Sequence, residues 1–107
     1  MTKLTTLFLS ATLIAGAESR SFTGVITDSM CGLNHAHMGI SPDSKCVREC
    51  VKGSNGKYKY VLHDGKKAYV LSDQETPEKF AAQKVIVTGT LYEKTGIIKV
   101  EKIEAAK

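Results

Sequence analysis

Apolar and polar residues alternate in the last third of the chain, and this pattern predicts a strand pair around the turn sequence Glu93-Lys94-Thr95-Gly96. A second hairpin is predicted upstream, where two strand-like runs meet at Asp64-Gly65. A run rich in β-branched residues near the start predicts one more strand. We expect five strands, at residues 22–28, 58–63, 67–71, 84–92 and 97–103.

Two short helices are expected between these strands. Ser41 is placed as the cap of the first helix, with Pro42 at its first helical position and Gly53 as its stop. Thr76-Pro77-Glu78 predicts the start of the second helix, which should run to Ala82.

The order of these elements predicts a mainly β fold. Five strands with a helix between the third and fourth resemble the OB-fold, a small five-stranded barrel. We therefore expect one OB-like domain over residues 18–107, with an elaborated Cys/His loop at 28–53. A five-stranded sandwich, or a sheet with two helices on one face, is the alternative.

The first 17 residues are typical of a cleaved export signal. Lys3 precedes an apolar run from Leu7 to Ala15, and Ala15-Gly16-Ala17 fits the small-residue cleavage rule. The run is shorter than the roughly 20 residues that cross a bilayer. We expect a periplasmic or secreted protein without a membrane span.

The charge balance argues against a nucleic-acid partner. The formal net charge is +4 at pH 7, and the basic residues are spread along the chain without a block. The sequence has no nucleophile elbow, phosphate-binding glycine loop or His-Glu-x-x-His motif, so we do not expect an enzyme. We also expect a monomer.

Candidate chemistry is concentrated in one short segment, which holds all three cysteines and two of the three histidines. Cys46 and Cys50 are four residues apart, so a helix would place both thiols on one face. A metal ion bridges such a pair more easily than a disulfide does. The candidate ligands are Cys31, His35, His37, Met38, Cys46 and Cys50.

Part of this segment resembles the copper-binding loop of cytochrome oxidase subunit II, Cys-x-x-x-Cys-Gly-x-x-His-x-x-Met. Cys31, Gly32, His35 and Met38 match the second half of that loop, whereas Thr27 stands in place of its first cysteine. The resemblance implies copper at a mononuclear site, since thiolate, imidazole and thioether suit copper. The Cys-x-x-x-Cys pair with a distant histidine is also similar to the motif of Sco-type metallochaperones.

Most of residues 22–103 resembles a group of small exported bacterial domains of unknown function. The shared pattern is Gly-x-Ile-x-Asp-x-x-Cys, then a histidine, then Cys-x-x-x-Cys. The pattern begins at Gly24, Ile26, Asp28 and Cys31. This resemblance implies export and the fold, and it brings no activity.

We therefore predict a small exported protein that binds copper or zinc. Zinc would take a closed set of Cys31, His35, Cys46 and Cys50, with only one of the two histidines in the site. Copper would make Met38 a ligand.

The alternative is a module stapled by a disulfide between Cys31 and either Cys46 or Cys50. Such a module would recognise a peptide or glycan on the barrel face. The residues placed on that face are Tyr58, Tyr60 and Tyr69.

Overall fold

The computed structural model describes residues 18–35 and 39–106. The predicted export signal at 1–17 lies outside the described residues. So do two candidate ligands, His37 and Met38.

Within the described residues, five strands close into a barrel. They are β1 (Arg20–Asp28), β2 (Tyr60–His63), β3 (Ala68–Leu71), β4 (Lys84–Tyr92) and β5 (Ile97–Ala105). Each strand pairs antiparallel with its neighbours, except that β3 and β5 run parallel. The order around the barrel is β1-β2-β3-β5-β4, and β1 closes it by pairing with β4. The mainly β, five-stranded prediction is confirmed.

The first helix, α1 (Asp43–Lys52), ends at Gly53 as predicted. Its cap prediction is wrong by one position, because Pro42 occupies the N-cap and no side chain caps the helix. None of the helices in the described part of the chain has the length and apolar character needed to cross a membrane.

The second predicted helix is a 3-10 helix, Thr76–Phe80, and it stops short of Ala82. The neighbouring strand β1 explains the early stop. Ala81 forms a bridge with Ile26, and the Ala82 N–H donates to the Ile26 carbonyl oxygen at 2.7 Å. These backbone bonds turn the chain from the helix onto the barrel.

The barrel interior is apolar and includes one residue from α1. Val47 is fully buried and belongs to the same cluster as the strand residues, which seats the helix on the barrel. Cys46, Val47, Cys50 and Val51 follow the spacing of one helix face, so the face that packs inward also carries two thiols. The buried strand residues include Ile26, Leu62, Leu71, Val85, Val87 and Ile98.

Tyr60 belongs to this core and is 2% exposed. The alternative in which Tyr60 lies on a ligand-binding face is therefore wrong. Tyr60 begins β2 directly opposite Asp28. Successive side chains along a strand point to opposite faces, and that of Tyr60 points into the barrel. Tyr58 and Tyr69 are half-buried.

The segment between β1 and β2, residues 29–59, contains the three cysteines, and it leaves and rejoins the sheet at one place. Asp28 is the last residue of β1, and its register partner is Tyr60, the first residue of β2. The intervening residues include α1, which contacts β1. The cysteines therefore lie over the end of β1.

Candidate metal centre

The buried polar residues of the described chain all lie at the end of β1. They are Thr27 and Asp28, both fully buried, and His35, which is 6% exposed. Burying polar side chains is costly unless they find partners, so their convergence on one spot needs an explanation. The three cysteines lie at the same spot.

The thiols form a compact group. The Sγ atoms of Cys31 and Cys50 are 3.9 Å apart, and the thiol of Cys46, which is fully buried, lies within 4.8 Å of that of Cys31. A disulfide would need a separation of about 2.05 Å. All three cysteines are among the described residues, and no disulfide bond joins them, so the predicted staple is not formed.

Two overlapping groups of side chains have metal-binding spacing. One group is Cys31, His35 and Cys46, and the other is Asp28, Cys31 and Cys50. Within each group the ligand atoms lie within 4.8 Å of one another. Cys31 belongs to both groups, so it is the centre of the arrangement.

Thr27 orients the imidazole of His35. The Thr27 hydroxyl donates its single proton to the Gly32 carbonyl oxygen. Its oxygen lies 3.1 Å from Nε2 of His35 and must accept there, which makes Nε2 the protonated nitrogen. In the neutral imidazole, Nδ1 is then the nitrogen with a lone pair, and it is buried without a hydrogen-bond partner among the described residues. Such a hydrogen bond on the far nitrogen is the usual way to orient a metal-ligating histidine.

Asp28 uses only one of its carboxylate oxygens in the local turn. Oδ1 accepts hydrogen bonds from the backbone N–H groups of Met30 and Cys31, at 3.0 and 2.7 Å. Oδ2 is buried and has no hydrogen-bond partner among the described residues. It lies 3.8 Å from His35 Nδ1, too far for a hydrogen bond. A metal ion between these two atoms would satisfy both.

The electrostatics of the cluster disfavour thiolates until a cation arrives. Burial, followed by the Asp28 carboxylate and the Cys50 thiol, raises the pKa of Cys31 to about 12. Burial also raises the pKa of Cys46, with Cys50 adding to the effect. A bound cation reverses this balance, because it stabilises thiolates and releases their protons.

The raised pKa of Cys31 predicts that the metal-free protein loses stability at alkaline pH. The unfolded thiol ionises near its ordinary pKa of about 9, whereas the folded thiol keeps its proton to about 12. The stabilising contribution is therefore complete below pH 9 and is lost as the pH rises toward 12. Urea unfolding in the presence of a chelator, measured at several values between pH 8 and 11, checks this expectation.

The matched control is Cys31→Ser, which removes this thiol and keeps the other side chains that ionise at alkaline pH. Its free energy of unfolding should fall less steeply with pH than that of the wild type. Parallel pH profiles for the two proteins would contradict the prediction.

Sequence reasoning found four residues that the structure brings together: Cys31, His35, Cys46 and Cys50. It named neither Thr27 nor Asp28 as part of the site. A signal for Asp28 was present, since a carboxylate at the end of a strand otherwise made of apolar and β-branched residues precedes a cysteine by three positions. Thr27 gave no such signal, because a threonine is ordinary in a strand.

One family model matches part of the chain. Residues 54–106 are similar to a protein family of unknown function, DUF5818. The match covers 53 of the 107 residues, from the end of α1 through β5, and the candidate ligands all precede it. Neither the curated proteins nor the solved structures gave a match.

Proposed function

We propose that this chain is a small exported metal-binding protein, and that its loop and helix hold one copper or zinc ion. The observation that carries the proposal is the mutual proximity of the Cys31, His35 and Cys46 ligand atoms, all within 4.8 Å of one another. Thiolate and imidazole are the donors that both metals accept. The sequence of the first 17 residues, which is typical of a cleaved export signal, supports the export part of the proposal.

The spacing of the thiols supports this assignment. Two thiolates on one tetrahedral zinc ion, with zinc–sulfur bonds of about 2.3 Å, lie about 3.8 Å apart. Cys31 and Cys50 are already 3.9 Å apart. Little rearrangement is therefore needed for these two side chains to share an ion.

The imidazole of His35 supports the assignment independently. In the neutral imidazole, the hydrogen bond to Thr27 fixes the proton on Nε2, so the buried Nδ1 carries the lone pair. A neutral, oriented imidazole is the form of histidine that binds a transition metal. Met38 would enter this picture as an additional ligand if the ion is copper.

The first test is to isolate the protein without added metal or reductant. Native and denatured intact masses, with and without thiol alkylation, are recorded alongside elemental analysis. We expect about one copper or zinc ion per chain in the native protein and three alkylatable thiols after denaturation. Binding of a metal to intact thiols is the expected state because Cys31 lies close to each of the other two thiols without being bonded to either.

The opposite result would identify the stapled module. A single alkylatable thiol and no metal would mean that two cysteines are joined, and the proposal would then be wrong. The contact between Cys31 and Cys50 makes these two the pair expected in that bond, which would leave the buried Cys46 as the reactive thiol after denaturation.

A further inference from the structure

Asp28 is one of three aspartates that form the same local turn. In Asp28, Asp64 and Asp73, Oδ1 accepts hydrogen bonds from the backbone N–H groups two and three residues ahead. One carboxylate oxygen is enough for this turn, and an asparagine side chain offers the same acceptor. The charge of Asp28 is therefore not needed for the turn.

The environment of Asp28 differs from that of the other two. Asp64 is exposed and Asp73 is half-buried, whereas Asp28 is fully buried. Its Oδ2 has no hydrogen-bond partner among the described residues. A buried carboxylate is costly unless it is paired or coordinates a metal. Among the described ion pairs, its only partner is His35, at 3.8 Å.

We propose, on the basis of the metal site proposed above, that Asp28 is a ligand specific for zinc. Carboxylate oxygen is an ordinary zinc donor, whereas Cu(I) prefers thiolate and thioether. Asp28 lies in one ligand group with Cys31 and Cys50, and its Oδ2 faces His35. Asp28 thus adds affinity for a divalent ion that accepts oxygen, nitrogen and sulfur together.

The test compares two metals on the same variants. The reduced, metal-free protein is titrated with Zn(II) against a chromophoric zinc chelator, and separately with Cu(I) against a Cu(I) chelator. Asp28→Asn should weaken zinc binding at least about tenfold, and should change Cu(I) binding less than about threefold. Asp73→Asn, which alters an aspartate in the same kind of turn away from the site, should change neither.

Four results would overturn the inference. Unchanged zinc affinity in Asp28→Asn would show that the carboxylate is not a ligand, and an equal loss for both metals would indicate a structural role. A wild type that binds Cu(I) but not zinc would overturn this inference alone. A wild type that binds neither metal would overturn the proposed function as well.

A second measurement needs no variant and covers the case in which Asp28→Asn does not fold. X-ray absorption of the zinc-loaded wild type reports the sulfur and light-atom ligands of the ion. We expect two nitrogen or oxygen ligands, from His35 and Asp28, beside sulfur. One light-atom ligand or none would overturn the role of Asp28.

Discussion

Replacing Cys31 with serine is expected to weaken zinc binding by more than about a hundredfold, because this thiol belongs to both groups of candidate ligands. Its loss leaves neither group complete. Cys50→Ser is expected to have a smaller effect, since Cys31, His35 and Cys46 remain together in that variant. Zinc affinity is measured by chelator competition on the reduced proteins.

The larger loss of zinc affinity is expected in Cys31→Ser and the smaller one in Cys50→Ser, and this order distinguishes the assigned site from other arrangements of three thiols. Any three-thiol site would lose affinity in both variants, but only the shared position of Cys31 makes its loss the larger one. Circular dichroism of the metal-free variants controls for misfolding. Retained one-to-one binding in Cys31→Ser, or a larger loss in Cys50→Ser, would contradict the site as assigned.

Tyr60→Ala is expected to destabilise the protein by about 3–5 kcal/mol, because it empties a large volume in the barrel core. Tyr60 is 2% exposed, and its backbone N–H and carbonyl are both hydrogen-bonded to the side chain of Gln74. Urea unfolding gives the change in free energy directly. No effect on binding of a peptide or glycan is expected beyond that caused by unfolding.

Tyr60→Phe is the matched control. The Tyr60 hydroxyl is buried and has no hydrogen-bond partner among the described residues, so its removal leaves no partner unsatisfied. We expect this variant to be at least as stable as the wild type. If Tyr60→Phe lost as much stability as Tyr60→Ala, the hydroxyl would have a role that this structure does not show.

Strand positions followed from the sequence because apolar alternation and turn residues act locally. The predicted strand at residues 84–92 coincides with β4, and the turn at Glu93–Gly96 joins it to β5. The end of the second helix could not be predicted, since backbone bonds from Ala81 and Ala82 to Ile26 end it. Those bonds join residues more than 50 positions apart and leave no local signal.

The cysteine and histidine ligands of the candidate site could be predicted from the sequence. The carboxylate of Asp28 and the hydroxyl of Thr27 could not. Cysteines and histidines within one segment are rare enough to mark a site, and Cys31, His35, Cys46 and Cys50 were named on that basis. Asp28 is a candidate ligand only because its side chain is completely buried, and burial of a single aspartate cannot be read from a sequence. Thr27 matters only through two hydrogen bonds, to Gly32 and His35.

The single point at which the Cys/His segment departs from and rejoins the sheet has a consequence for engineering. Since Asp28 and Tyr60 are register partners, the pairing of β1 with β2 extends to the two residues that flank the segment 29–59. A short hairpin turn in place of that segment would keep the register of β1 and β2, but it would also remove the fully buried Val47 from the core. Conversely, a scaffold that received this segment together with Thr27 and Asp28 would have to provide two antiparallel strands and an apolar surface that buries Val47.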